Sequence, residues 1–409
     1  MTCDAIVTPQ RIDRKKQLSV SKGIITSASA KQAPVLDLDS SSVLYPALLN
    51  IHDHMRGNYL PRVGPRPGTF YLNWLPWDND LKASDAFAER EHLSEENKYF
   101  LSSYKNLFSG VITVNDHFPH RLNEQYLPRL PVRAIQEYTI EHECSSFDLK
   151  WGDGIEAEHR LALEKNWPFI THLEEGFDPE SQDGVGILER HKALDEHCVL
   201  IHCIGFSDED ILKVAKAGAS ISWCPASNML MFNTTCKIRK LLHAGVNVGI
   251  GTDSTHTGSE NLLAEMKYAR KVYQSLYGED LDAKTIVEMV TSNPAKAFRM
   301  YDRTGSIEEG KWADLLVMRK REDDPYENLA TASMKDIQLL VREGVPVYGE
   351  ERFMDLLDGK LPVGYSMLMV DGRSMFVKGD PAGLYREVRR KVGFKKTLDY
   401  LPFEPGAEH

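Results

Sequence analysis

The second half of the chain alternates short apolar segments with amphipathic ones, and this rhythm constrains the fold more than any other feature. The apolar segments have the length of strands and are residues 168–171, 198–201, 219–223 and 246–251. The segments between them are predicted helices, since residues 207–210 are typical of a helix start and Gly218 and Gly245 of helix ends. Strands that alternate with helices in this way predict a parallel β/α architecture, and the chain is long enough for an eightfold barrel.

The first part of the chain is less regular. Residues 43–49 form an apolar run that predicts a buried strand ending at Asn50. Residues 1–43 contain short strands, which we expect to pair with strands from the other end of the chain. Residues 55–88 predict a long irregular loop that either covers a site or packs its aromatic side chains onto the body. The remaining predicted elements are helices over residues 94–109 and 156–165 and strands over 111–114 and 131–136.

Polar side chains follow the predicted strands at the point where each strand ends. His52 and His54 come first, and both point to the same side because side chains on a strand alternate between its two faces. The later strand ends carry Asp116, His117, His172, His202 and Asp253. The carboxyl ends of barrel strands converge on one mouth, where active sites are built. Three imidazoles and one carboxylate suit zinc or iron(II), so the pattern predicts a metal site with a position left for water.

The chemistry of such a site also needs a group that moves protons. A bound divalent metal lowers the pKa of its water to about 7, which makes hydroxide available for hydrolysis. Just past His172, the chain offers two adjacent carboxylates, Glu174 and Glu175, as the general acid and base. From the residues alone, either carboxylate fits this role.

Composition and charge exclude several classes of protein. The 409 residues carry a net charge of −11, which argues against a nucleic-acid or anionic-membrane partner because such partners bind basic surfaces. No apolar stretch approaches the ~18 residues that span a bilayer, and the N-terminus lacks the regions of a signal peptide. The six cysteines are scattered without the spacing of a zinc ribbon or a disulfide scaffold, so we expect reduced thiols and a cytoplasmic protein.

Motifs of one known family run through most of the chain. They are Pro46-x-x-x-Asn50-x-His52-x-His54, Gly110-Val111-Ile112-Thr113 with Asp116-His117, His172-x-x-Glu175, Leu200-Ile201-His202-Cys203, Cys224-Pro225-x-Ser227-Asn228, residues 244–254, Asn293-Pro294-Ala295-Lys296-Ala297, and Gly305-Ser306-Ile307 with Ala313-Asp314-Leu315. With this combination the chain resembles the amidohydrolase superfamily. The resemblance is to the branch of aminohydrolases and chlorohydrolases that includes guanine, cytosine, S-adenosylhomocysteine and 8-oxoguanine deaminases and the triazine hydrolases.

The resemblance implies an α/β fold with two parts. Residues 44–304 would form a (β/α)8 TIM-like barrel that holds the metal. Residues 1–43 and 305–409 would form a small composite β-domain, a β-sandwich built from both termini, with a C-terminal extension.

The resemblance also implies roles for the residues at the mouth of the barrel. It implies one divalent metal, zinc or iron(II), held by His52, His54, His172 and Asp253. The family pattern favours Glu175 over Glu174 as the group that moves a proton from water to the leaving group. It further implies that His202 hydrogen-bonds the attacking water or the substrate, and that Asp253 acts as a base. The Ser227-Asn228 pair would hold the mouth without taking part in the chemistry.

Two features depart from the family pattern. Between Gln136 and the helix near Glu156 there is room for a strand but hardly for a complete crossover, so the barrel is expected to be irregular around strands 3 and 4. Binuclear relatives use a carboxylated lysine at the end of the fourth strand, and Lys150 lies in that window. Because Glu175 indicates the mononuclear branch, we interpret Lys150 as an ordinary surface lysine.

Four residues near the expected mouth are predicted to bind substrate: His117, Arg56, Trp77 and His256. Each has an alternative reading. For His117 it is packing or support of a neighbouring group; for Arg56 and His256 it is a structural contact within a loop. Trp77 belongs to the aromatic cluster of residues 70–77, which either contacts substrate or packs the loop onto the body.

The predicted function is a metal-dependent hydrolase that deaminates a purine, pterin, pyrimidine or triazine-like amine by attack of metal-bound hydroxide. Hydrolysis of an amide C–N bond or a C–Cl bond on the same fold is an alternative, because no residue separates the leaving groups. An alternative of another class is a non-enzymatic binding relative, although such relatives generally lose ligands. We expect a small-molecule substrate as the partner, no nucleic acid and no membrane, and a homo-oligomer, namely a dimer.

Overall fold

The computed structural model describes residues 2–9, 11–27, 38 and 40–406. Residues 28–37 and 39 of the predicted small domain, together with residues 1, 10 and 407–409, lie outside the described residues. The strands are β1 (Thr2–Val7), β2 (Ile12–Gln17), β3 (Ser19–Ser21), β4 (Ile24–Thr26), β5 (Ser42–Pro46), β6 (Leu48–Asp53), β7 (Val111–Asp116), β8 (Arg133–Ala134), β9 (Thr139–Glu143), β10 (Phe169–Leu173), β11 (Cys198–His202), β12 (Ser220–Trp223), β13 (Asn247–Ile250), β14 (Leu315–Arg319), β15 (Ile337–Arg342), β16 (Val345–Glu350), β17 (Tyr365–Val370) and β18 (Arg373–Lys378).

The α-helices are numbered in the same way. They are α1 (Trp74–Lys82), α2 (Asp85–Arg90), α3 (Glu95–Leu107), α4 (His120–Asn123), α5 (Ile155–Lys165), α6 (Gly184–Arg190), α7 (Asp208–Ala217), α8 (Pro225–Phe232), α9 (Ile238–His243), α10 (Leu262–Tyr277), α11 (Ala283–Met289), α12 (Ser292–Ala297), α13 (Pro325–Ala330) and α14 (Pro381–Val392). In the described ranges, every helix is too short or too polar to span a bilayer.

The eight consecutive strands β6 to β13 form two sheets, and within each sheet the strands run parallel and follow the order of the sequence. β6, β7 and β8 form one sheet, and β9 to β13 form another, with each strand beside the next one in the chain. Helices connect most of the successive strands. This is the TIM-barrel-like α/β fold that the strand–helix rhythm predicted.

The parallel strands are interrupted where the sequence departs from the family pattern. β8 has two residues, and only residues 135–138 connect it to β9, without a helix. Parallel pairing of consecutive strands needs a crossover of about a dozen residues, and among the described strands β8 and β9 are in different sheets. The predicted irregularity around strands 3 and 4 is therefore present, although the predicted strand over residues 131–136 is shorter than expected.

Strands from both ends of the chain meet in a separate eight-stranded sheet. Its order is β17-β18-β16-β15-β14-β5-β1-β2, and its pairs are antiparallel except for β1 with β5. Ile6 and Leu44 pack in one buried cluster with Leu315, Val317 and Leu339 from the C-terminal part. The strands β1 and β2 thus share a sheet with strands from the other end of the chain. Among the described strands, the expected direct pairing between the two ends is made by β5 with β14 and by a single bridge from Ile24 to Trp312. The predicted limits of the two domains stay predictions.

The predicted strand over residues 43–49 is in fact two strands. β5 pairs with β14 in the composite sheet, and β6 pairs with β7 in the barrel. The change of sheet occurs at Ala47, whose N–H donates to the carbonyl oxygen of Asp314, whereas the next N–H, of Leu48, donates to that of Gly110. A continuous apolar run cannot reveal this change because both sheets bury the strand.

The predicted irregular loop over residues 55–88 contains two helices, α1 and α2. Each begins after a polar side chain that accepts a backbone N–H of the first turn: Asn73 accepts from Leu75, and Ser84 from Phe87. Glycines and prolines, which are typical of loops, concentrate before residue 70. The predicted loop therefore extends too far along the chain.

Candidate metal centre

His52 and His54 project from the end of β6 to the same side, as the alternation of side chains along a strand requires. Their ring centroids are 4.7 Å apart. His54 Nδ1 donates to the carbonyl oxygen of His117 at 3.0 Å, which leaves Nε2 free to bind a ligand. His52 is fully buried, and neither of its ring nitrogens has a hydrogen-bond partner.

His172 joins this pair from the end of β10. Its Nδ1 donates to the carbonyl oxygen of His142 at 2.7 Å, so that Nε2 carries the free lone pair. Its ring centroid lies 5.2 Å from that of His52 and 5.3 Å from that of His54. Burial and the neighbouring imidazoles, of which His117 contributes most, hold the pKa of His172 well below its usual value. A neutral imidazole is the form that binds metal ions.

Asp253 follows β13 and brings a carboxylate to the same side. Its Oδ1 lies 3.7 Å from His52 Nε2 and 3.6 Å from His54 Nε2. Its Oδ2 accepts hydrogen bonds from the hydroxyls of Ser227 at 2.7 Å and Thr257 at 3.0 Å. The carboxylate is thereby oriented with one oxygen toward the imidazoles, as partners around a metal ligand commonly do.

Glu175 and His202 form the adjoining part of the site. Glu175 Oε1 lies 3.5 Å from His202 Nε2, while His202 Nδ1 donates to Asn228 Oδ1 at 2.8 Å. Burial, followed by the charges of Asp253 and Glu143, raises the pKa of Glu175 well above its usual value. A buried carboxyl that keeps its proton is suited to give that proton to a leaving group.

The neighbouring carboxyl of Glu174 points elsewhere. Its Oε1 accepts the backbone N–H of Val185, at the start of α6, at 3.1 Å. Among the described residues, the metal-capable group at this place contains Glu175, with His172 and His202, and not Glu174. The geometry therefore supports Glu175 as the group that moves protons.

The residues at this site fit a divalent metal ion. One nitrogen from each of His52, His54, His117 and His172 lies within 4.8 Å of the others. Unpartnered buried nitrogens on His52 and His117 are costly unless a ligand satisfies them. Neutral imidazoles with a nearby carboxylate are the donors that zinc and iron(II) accept.

Three other predicted residues are placed farther from these rings. Arg56 makes a two-point ion pair with Glu95, at the start of α3, with distances of 2.5 and 2.9 Å. Trp77 lies on α1 and donates its indole N–H to the carbonyl oxygen of Val63 at 3.0 Å. Lys150 is on the surface, with its side chain 81% exposed and paired with Asp148. Arg56 and Trp77 thus make the alternative, structural contacts, and their roles toward substrate stay predictions. The exposure of Lys150 is that expected for an ordinary surface lysine.

His256 is buried beside Arg90. Its Nε2 accepts a hydrogen bond from Arg90 Nη1 at 3.3 Å, and its backbone carbonyl accepts the N–H of Val63. The metal-capable groups found in the described part of the chain do not include it. A structural role in holding the loop after β6 accounts for these contacts.

Sequence reasoning missed the aromatic wall beside the imidazoles. Trp151 has its ring centroid 5.4 Å from that of His117 and 4.5 Å from that of His142. Trp74 lies 4.6 Å from His142 and donates its indole N–H to Glu143 at 2.6 Å. The polar end of β9, which contains His142 and Glu143, is the same kind of signal that marked the other strands and could have located this wall.

The chain is similar in sequence to known proteins. The sequence pattern of the amidohydrolase family matches residues 153–347. A candidate aminohydrolase of Methanothermobacter thermautotrophicus is 32% identical over 378 residues, which cover 82% of this chain and 94% of that protein. The chain belongs to the amidohydrolase family.

Two further proteins resemble this amidohydrolase, one in sequence and one in fold. The 5-methylthioadenosine/S-adenosylhomocysteine deaminase 2 of Archaeoglobus fulgidus is 34% identical over 170 residues, 39% of this chain, and the chain spans 40% of that protein's length. The crystal structure of a zinc-bound adenosine deaminase from Xanthomonas campestris has a TM-score of 0.71 at 18% identity, and covers 95% of this chain and 96% of its own. The latter likeness shows the shared fold of this amidohydrolase.

Proposed function

We propose that this amidohydrolase is a metal-dependent hydrolase that deaminates a heterocyclic amine. The observation that carries the proposal is the position of Glu175, 3.5 Å from His202 and grouped with His172 at the edge of the imidazole cluster. A proton-transferring carboxyl beside a metal-capable cluster is what hydrolysis of an amidine-like carbon requires. The name of the A. fulgidus relative, a 5-methylthioadenosine/S-adenosylhomocysteine deaminase, supports the same class of reaction.

The ion would be held by His52, His54, His172 and Asp253, and we propose that it is zinc. A bound divalent ion supplies Lewis acidity and lowers the pKa of water to about 7. Zinc in the X. campestris structure, which shares the fold, supports this choice. The free Nε2 atoms of His54 and His172 support the same ligand set, as does the position of Asp253 Oδ1, 3.7 Å from His52 Nε2 and 3.6 Å from His54 Nε2.

The protein's own groups would manage the protons. In deamination, a C–O bond to water forms, the C–N bond to the amino group breaks, and ammonia leaves. One proton of water ends on the ring nitrogen and the other on the ammonia. We assign the transfer to the departing nitrogen to Glu175, and the first acceptance of a proton from water to Asp253. His202, with its Nδ1–H held by Asn228, keeps Nε2 as an acceptor for a substrate N–H.

The substrate would be a planar ring of the purine, pterin, pyrimidine or triazine kind. The rings of Trp151, Trp74 and His142 pack edge to face beside the cluster and offer aromatic surface on which such a ring can stack. Glu143 Oε1 is buried there without a partner, and can accept an N–H of the heterocycle. Stacking with a few placed acceptors is typical of small-molecule sites.

Ammonia release from zinc-reconstituted protein tests this function. A panel of amino-substituted purines, pterins, pyrimidines and triazines is assayed with wild type, Glu175→Gln and the matched control Glu174→Gln. We expect Glu175→Gln to lower kcat by about 10²- to 10⁴-fold, the usual contribution of a general acid–base group, while Glu174→Gln retains turnover. Equal activity of wild type and Glu175→Gln, or release of chloride without ammonia from chlorinated rings, would contradict the proposal.

The finer architecture belongs to the same proposal. We infer that the barrel closes between β13 and β6, and the bond from Asp253 N–H to the carbonyl oxygen of His52, at 3.1 Å, supports this. The composite sheet would form the core of a small β-sandwich domain.

The proposed location is a reducing cytoplasm, which five buried free cysteines among the described residues support. A homodimer stays a prediction, which light scattering of the purified protein tests.

A further inference from the structure

His117 stands at the carboxyl end of β7, directly beside the end of β6. Its backbone N–H donates to the carbonyl oxygen of Asp53 at 2.9 Å, and its own carbonyl oxygen accepts His54 Nδ1. Its side chain is fully buried. The two strand ends therefore hold the His117 ring at the level of His52 and His54.

The hydrogen bonds of His117 follow the pattern of the predicted ligands. Its Nε2 donates to the carbonyl oxygen of Glu141 at 3.0 Å, so the free lone pair is on Nδ1. His54 and His172 also donate one ring N–H to a backbone carbonyl and direct the other nitrogen to the centre. This arrangement is how proteins fix the tautomer and orientation of histidines that bind metals.

The four ring centroids lie close together. Imidazoles that each place one nitrogen at about 2 Å from a shared ion have centroids roughly 5 Å apart. His117 lies 5.5 Å from His52, 5.7 Å from His54 and 4.4 Å from His172. The three pairs among His52, His54 and His172 are separated by 4.7 to 5.3 Å. His117 is thus placed like a fourth member of the set.

An unpartnered nitrogen alone would not single out His117. Nδ1 of His142 and Nδ1 of His256 are also buried without a hydrogen-bond partner. Neither belongs to a metal-capable group among the described residues, whereas one ring nitrogen of His117 lies within 4.8 Å of ligand nitrogens from three other histidines.

We propose that His117 Nδ1 is a direct ligand of the divalent ion, so that four imidazoles from the ends of β6, β7 and β10 surround it with Asp253. The inference rests on the proposed function, because it concerns the ion that this function requires. It assigns His117 to metal coordination and leaves substrate recognition to the aromatic wall. It also gives β7 a ligand of its own.

X-ray absorption spectroscopy of the full, zinc-reconstituted chain counts the imidazoles directly. We expect scattering from four imidazoles in wild type and from three in His117→Gln. After substitution of cobalt(II) for zinc, the visible absorption band of His117→Gln should be shifted from that of wild type, because one imidazole ligand is lost. The matched control is His256→Gln, which replaces a buried histidine outside the cluster and should reproduce the wild-type spectra.

Competition with a chelator provides an independent measurement. Loss of a residue that merely supports a ligand weakens metal binding by roughly 10- to 100-fold, so loss of His117 should weaken it by at least that much. His256→Gln should bind zinc as wild type does. If His117→Gln does not fold, the count of four imidazoles in wild type still decides.

The outcomes separate this inference from the function on which it rests. Three imidazoles in wild type, with unchanged cobalt spectrum and zinc affinity in His117→Gln, would overturn the role of His117 and leave the proposed function standing. A wild-type chain that binds no divalent metal after reconstitution would overturn both.

Discussion

At the residue scale, the centre is organised by backbone carbonyl oxygens that each accept one imidazole N–H. The carbonyls of His117 and His142 hold His54 and His172, respectively, and that of Glu141 holds His117. A carbonyl can only accept, so each of these rings must protonate the nitrogen that faces it. The opposite nitrogen is then available at the centre without any change in the side chain.

His256 shows what burial does to an imidazole outside the centre. Burial, and next the charge of Arg90, lower the pKa of His256 to about 3. The unfolded chain takes up this proton below about pH 6.5, whereas the folded protein does not. The free energy of unfolding should therefore fall as the pH drops from about 6.5 toward 3.

The pH dependence of His256→Gln tests this effect. In metal-free protein, the difference in unfolding free energy between wild type and variant should shift in favour of the variant by about 1.4 kcal/mol per pH unit below about pH 6. Urea denaturation at pH 7, 6 and 5 measures the shift. His243→Gln, at an exposed histidine of α9, is the matched control. Parallel curves for wild type and His256→Gln would contradict the expectation.

At the scale of elements, α3 anchors the ligand strands through one buried ion pair. Lys105 Nζ donates to both carboxylate oxygens of Asp53, at 3.1 and 3.2 Å, and both side chains are fully buried. It also donates to Asn58 and Thr252 at 2.8 and 2.9 Å, and to the carbonyl oxygen of Asp253 at 3.2 Å. The helix thus joins the end of β6 to the loop after β13, and these two places carry three of the four predicted ligands, His52, His54 and Asp253.

Lys105→Met should destabilise the fold strongly. Removing one partner of a buried pair leaves an uncompensated charge and costs about 3–5 kcal/mol. Chemical denaturation measures the loss, and Lys82→Met, which breaks the largely exposed pair with Asp78, should cost about 1 kcal/mol or less. The double variant Asp53→Asn/Lys105→Met should recover part of the loss. A double variant less stable than Lys105→Met would show that the unpaired charge is not the cause.

The helices and strands differ in how far the sequence predicts them. The capping box at Ser207 and the glycine after α7 are local signals, and α7 has the predicted limits. The change of sheet at Ala47 depends on Asp314 and Gly110, which are distant in the chain, and local patterns carry no trace of it. The helix α8 was missed, yet it supplies Ser227 to Asp253 and Asn228 to His202.

At the scale of the whole molecule, Arg133 joins the barrel to the composite sheet. Its guanidinium donates to Thr113 on β7 at 2.7 Å and to Asp314, just before β14, at 2.8 and 3.2 Å. It also contacts Glu343 at 2.6 Å and lies over the ring of Trp312. The short strand β8 pairs with β7 through two residues. The side-chain contacts of Arg133 therefore help to hold this strand in place.

Arg133→Met should lower the free energy of unfolding by about 3–5 kcal/mol, because Asp314 would remain buried without its cation. Arg303→Met is the control, since Arg303 also lies over Trp312 but pairs with the exposed Glu137. The control should cost about 1 kcal/mol or less. Equal losses in the two variants, measured by denaturant unfolding, would contradict a special role for the link to Asp314.

The sequence by itself determined the parallel strand–helix order, the family and the residues placed at the strand ends. These follow from local periodicity and from motifs, and the carboxyl ends of barrel strands meet at one mouth. Only the tertiary structure decided which nitrogen of each histidine faces the centre, that Glu175 lies by His202 while Glu174 turns to α6, and that His117 stands among the ligands. Those facts depend on carbonyls and side chains from other strands, which come together only when the barrel forms.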